Sequence, residues 1–71
     1  MATEVRSPTT GVVIEIKVAA GDSVQIDDEM VIIESMKMHI PVTAPEAGRV
    51  GEMKVKEGDQ IAEDDVVCTL E

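Results

Sequence analysis

The chain matches itself. Displacing it by 37 positions pairs residues 7–34 with 44–71 without a gap. Eleven of the 28 pairs are identical: Pro8/Pro45, Gly11/Gly48, Val13/Val50, Glu15/Glu52, Lys17/Lys54, Val18/Val55, Gly21/Gly58, Asp22/Asp59, Asp27/Asp64, Asp28/Asp65 and Glu34/Glu71. Composition alone gives roughly two. Two copies are too few for a solenoid, whose continuous core takes at least about three repeats. Two halves closing on each other about a pseudo-two-fold axis is the better geometry. Seventy-one residues hold one domain and no second, so the reading is a single domain over 1–71.

Each half reads as strand, turn, short strand, turn, strand. In the first, Val12, Ile14, Ile16 and Val18 alternate with Val13, Glu15 and Lys17, the period of a half-buried strand. That alternation places Ile14 in the core with Ile33. Gly21-Asp22 marks a turn, Val24 and Ile26 a short extended piece, Asp27-Asp28 a second turn, and Met30 to Ile33 a more fully buried strand. The second half repeats the order with Gly48 to Val55, Gly58-Asp59, Ile61, Asp64-Asp65 and Val66 to Leu70. Thr3 to Arg6 and the stretch after Lys37 add two further strands.

The fold class is therefore all-β, since Gly and Pro punctuate the chain and β-branched residues fill the runs between them. About eight short strands suffice for two small sheets packed face to face or a flattened barrel. Phe, Tyr and Trp are absent, so the core must be assembled from many small contacts of Val, Ile, Met, Ala and one Leu.

Charge and composition exclude several functions. Six basic against fifteen acidic residues give a formal net charge of −9, which repels nucleic acid and anionic membranes. The aromatic platforms that stack single-stranded bases are missing too. One cysteine, Cys68, cannot form an internal disulfide, and with His39 the only histidine no Cys/His zinc site can be built. Cys68 alternates with Val66 and Leu70 and reads as a small buried residue. An enzyme is disfavoured, because no acid/base pair, triad or metal cluster can be assembled from one His and one Cys. The start, Met1 to Arg6, has no apolar leader segment, and no stretch has the length of a membrane span. A cytoplasmic, monomeric domain is the expectation.

The repeat leaves Ser35 to Thr43 as the link between halves. If Glu34 ends one strand and Met38 begins the next, Met36-Lys37 lies at a hairpin tip, where a side chain projects farthest. Lys37 is then an exposed amine between two flexible, uncharged Met side chains suited to an apolar partner surface. The spacing also fits an ordinary edge strand, in which Met36, Met38, Ile40 and Val42 alternate with Lys37, His39 and Pro41 and the lysine is merely solvated.

Glu34-Ser35-Met36-Lys37-Met38 closely resembles the attachment motif of the biotinyl/lipoyl attachment domain family, specifically its biotin carboxyl carrier domains. The family's tandem pattern stands on both sides: Pro8 to Gly11 with Gly21-Asp22-Ser23-Val24, and Pro45 to Gly48 with Gly58-Asp59-Gln60-Ile61. A lipoyl domain usually carries Asp immediately before its lysine, whereas Met36 stands there in this chain. The resemblance implies a flattened eight-stranded β-sandwich of two quasi-symmetric halves, with the modified lysine on a hairpin tip and the termini together at the opposite end. It further implies that a biotin protein ligase attaches biotin to Lys37, with Met36 and Met38 as flanking recognition residues and Glu34 and Ser35 completing the motif. The loaded domain would carry a carboxyl group from a biotin carboxylase to a carboxyltransferase, without catalysis of its own. The alternatives are a lipoyl carrier of a 2-oxoacid dehydrogenase and an unmodified binding module of the same fold.

The sequence departs from the family pattern at three points. Asp27 and Asp64 stand where many members have a turn glycine. His39 replaces a frequent acidic residue and brings a titratable group beside the site. The gapless repeat leaves no room for the thumb insertion of some bacterial carriers. The acidic runs Asp27-Asp28-Glu29 and Glu63-Asp64-Asp65 read as solvated turns before they read as a partner surface.

Overall fold

The runs of Val and Ile form eight strands, and no helix forms among the described residues: β1 (Thr3–Arg6), β2 (Gly11–Ile16), β3 (Ser23–Val24), β4 (Glu29–Ser35), β5 (Met38–Thr43), β6 (Gly48–Met53), β7 (Gln60–Ile61) and β8 (Val66–Leu70). The computed structural model describes residues 3–71; Met1 and Ala2, part of the start read above as free of a leader, lie outside the described residues. Two four-stranded sheets result, in the orders β5-β4-β2-β7 and β1-β8-β6-β3. The 37-residue displacement carries one order onto the other. The short strands are exchanged, since β3 pairs with β6 and β7 with β2. Neither half therefore completes its sheet without the other.

The hydrogen bonds obey the same symmetry. Val13 N–H donates to Asp59 O (2.9 Å) and Gly58 N–H to Val13 O (2.7 Å), while Val50 N–H donates to Asp22 O (2.8 Å) and Gly21 N–H to Val50 O (2.7 Å). Four aspartates close the turns: the Oδ2 atoms of Asp22, Asp28, Asp59 and Asp65 accept from the N–H groups of Ala19, Gln25, Lys56 and Ala62 at 2.8–2.9 Å. Such local bonds are why Asp is favoured at turns, and they give these carboxylates a structural task. Asp27 and Asp64 adopt φ of 71° and 73°, so both turns keep the left-handed conformation a glycine would give, which Asp tolerates better than most residues.

The core is filled by symmetric pairs: Val5 with Val42, Val13 with Val50, Val24 with Ile61, Met30 with Val67, Val31 with Cys68 and Ile33 with Leu70, all buried. Two expectations fail. Ile14 is 38% exposed and Val13 fully buried, because β2 carries a bulge: Val13 opposes Ile33 while Glu15 already opposes Ile32. The extra residue inverts the side-chain phase, so the inward set is Val13, then Ile16 and Val18. The second half has the same irregularity between Val50 and Met53. Ile26, expected in the short extended piece, lies outside β3 and is 62% exposed.

Candidate functional site

The β4–β5 ladder runs from Glu29 opposite Thr43 to Ser35 opposite Met38, leaving Met36 and Lys37 as a two-residue loop. Both have positive φ, 53° and 65°, as a type I′ hairpin turn requires. Asn-Gly is the usual occupant of that turn, and an L-residue with a long side chain costs on the order of 1 kcal/mol or more at each position. The ladder beneath holds two unfavourable residues in place. Met36 and Lys37 are thus retained against the backbone's preference, which directs attention to their side chains.

Those side chains face water. Met36 is 91% and Met38 64% exposed, and Lys37 is exposed between them. Lys17 pairs with Glu29 at 3.5 Å and Lys54 with Glu52 at 3.1 Å, whereas Lys37 joins none of the ion pairs among the described residues. Acylation of its amine would disrupt none of the described ion pairs. Around the tip the chain's acidity thins out: between Met30 and Ala44 the only charged or titratable side chains are Glu34, Lys37 and His39.

The base of the hairpin is fixed by three contacts. Gly11 lies so close to β4 that a Cβ there would stand 2.4 Å from Glu34 O and 2.7 Å from Ile33 Cγ2. Ser35, half-buried, places its hydroxyl 3.4 Å from that of Thr9. Glu34 opposes His39 across the ladder, with Oε2 3.6 Å from Nε2. The motif residues Glu34 and Ser35 therefore brace the tip. Met36-Lys37 forms the hairpin turn, and the edge strand of the alternative reading begins only at Met38 and runs to Thr43.

The left-handed turn itself escaped the sequence, because neither Met nor Lys signals positive φ; only the two-residue spacing between ladder ends could have suggested it. Cys68 is fully buried and its thiol is pushed up to about 11 by desolvation, which makes it a packing residue rather than a nucleophile. Among the described residues no cluster could hold a metal ion and no pocket opens. The site presents a projecting amine rather than a cavity.

The family model described as biotin-requiring enzyme matches residues 3–70. The biotinylated protein TB7.3 homolog of Mycobacterium leprae (strain TN) is 46% identical over 44 residues, 62% of each chain, so the chain spans less than two thirds of that relative. Among solved structures, the urea carboxylase of Kluyveromyces lactis superposes with a TM-score of 0.93 at 33% identity, covering 99% of this chain and 6% of the other. A single-chain, multi-domain long-chain acyl-CoA carboxylase gives 0.90 at 25% identity, covering 96% and 7%.

Proposed function

Since this chain belongs to the biotinyl/lipoyl attachment family and is of its biotin carrier type, we propose that Lys37 is the residue that bears its cofactor. The observation that carries the proposal is the tip: an exposed amine, outside every described ion pair, held by a strained turn between exposed methionines. A biotin protein ligase would acylate Nζ from biotinyl-adenylate, forming an amide as adenylate leaves and a proton is lost. Bound biotin supplies a ureido nitrogen able to take up and give up a carboxyl group.

The chain's own residues do the rest. The ladder from Glu29 to Ser35 projects Lys37 from a rigid base, and Gly11 and Thr9 hold that base against β2 and the preceding loop. Met36 and Met38 offer pliable apolar contact to the ligase. Tethering raises the local concentration of the group at each enzyme site it visits, which is what a carrier between a biotin carboxylase and a carboxyltransferase must do. The two carboxylases are much longer than this chain, and their likeness supports the carboxyl carrier reading through this one region.

The test is carboxyl loading. Ligase-treated protein is incubated with a biotin carboxylase, ATP and labelled bicarbonate, and label retained on the protein is counted. The parent should carry label and Lys37→Arg none; equal labelling of both would refute the assignment.

A further inference from the structure

The two sheets are near copies of each other in backbone, yet their outer faces differ. On the β5-β4-β2-β7 sheet, Val12, Ile14, Ile32 and Pro41 form an apolar stripe across three strands. Ile32 faces Pro41 on one side and the Ile14–Glu15 bulge on the other. Ile14 and Pro41 are exposed, and Val12 and Ile32 half-buried. On the other sheet the equivalent positions are Arg49, Gly51, Thr69 and Glu4. The fold does not ask for apolar residues there. At Thr69 it makes use of a polar one, whose Oγ1 accepts from the Glu52 N–H at 3.1 Å. Ile32 has no hydroxyl to repeat that bond.

We infer that the outer face centred on Ile32 docks the carrier onto a carboxylase component through a partner surface apolar at its centre and basic at its rim. The inference rests on the attachment of biotin at Lys37, which rises from the same sheet. Charge names the occupant. Glu15, Glu29 and Glu34 surround the stripe, and the nearby Lys17 is already paired with Glu29. A second copy of the chain would bring another −9 against the first, whereas a basic-rimmed enzyme surface complements it.

The experiment measures affinity of the full chain, loaded and unloaded, for the biotin carboxylase and carboxyltransferase components of a carboxylase from the same organism. Ile32→Thr with Pro41→Glu installs the residues that the other sheet bears at these positions, and its urea midpoint verifies folding. Thr69→Val is the control on the opposite face. The double variant should bind one component at least about tenfold more weakly, Thr69→Val should bind as the parent does, and the parent's affinity should fall with added salt. Unchanged affinity of the double variant for both components would overturn the inference, as would equal weakening by Thr69→Val. A parent dimer in sedimentation that the double variant abolishes would also overturn it, in favour of a second copy. Loading at Lys37 is read separately by mass: a parent that takes no biotin yet binds through Ile32 refutes the attachment and upholds the docking face.

Discussion

Gly11 and Glu34 are in closer apposition than any side chain at position 11 would permit, a Cβ there falling 2.4 Å from the Glu34 carbonyl oxygen. At the equivalent Gly48 the same atom would lie 3.0 Å from the carbonyl oxygen of Glu71, the counterpart of Glu34. The tighter contact is the one beneath the hairpin. Gly11→Ala should therefore destabilise by about 1 to 3 kcal/mol, and Gly48→Ala by less, as measured by urea unfolding. Equal effects would mean that the close approach has no bearing on stability.

Ile33 and Ile14 separate core from surface in the same sheet. Ile33 is fully buried and Ile14 is 38% exposed. Ile33→Ala should lose about 2 to 4 kcal/mol through the cavity it leaves, a large share of a small domain's stability. Ile14→Ala should lose less than about 1 kcal/mol. A large loss at Ile14 would contradict the bulge that turns it outward.

That contrast marks where the sequence was and was not readable. The strands and the Gly-Asp and Asp-Asp turns of the repeat were legible, because each half checks the other. For Lys37, in the link outside the repeat, the spacing allowed both a tip and an edge strand, and the likeness to the attachment motif pointed to the tip. The bulge at Ile14 was not, since Val12-Val13-Ile14 supplies an apolar residue in either phase and one inserted residue moves the inward set from Ile14 to Val13. The exchange of β3 and β7 between halves was equally hidden, because two-residue strands carry no pairing pattern. The positive φ at Met36 and Lys37 arises from ladder closure rather than from turn-forming residue types.

Relieving the turn should separate stability from recognition. Met36→Asn puts a residue that accepts positive φ at the first turn position, and should raise stability by about 0.5 to 1 kcal/mol. The same change removes an exposed apolar side chain beside Lys37, so biotinylation by a ligase should slow. Unfolding curves and the initial rate of biotin incorporation test the two halves of this expectation; faster incorporation would show that Met36 contributes nothing to recognition.

Burial of Cys68 links stability to alkaline pH. Desolvation pushes its thiol from 9.0 to about 11, so the native state keeps the proton over a range in which the unfolded chain has lost it. The stability this proton contributes is whole below the unfolded value and is lost as pH rises towards the folded one. Urea midpoints should fall between pH 9 and about 11 more steeply for the parent than for Cys68→Ala. Parallel curves would show that the native and unfolded chains lose the thiol proton over the same pH range, so that burial does not raise its pKa.

The assignment of Lys37 is tested most directly by intact mass after incubation with a biotin protein ligase, ATP and biotin, for the parent and for Lys37→Arg. Lys37 is exposed and lies outside the described ion pairs, so the substitution should leave the urea midpoint unchanged. The account predicts a gain of one biotinyl group by the parent and no gain by Lys37→Arg. No gain by the parent, or the same gain by both, would contradict it.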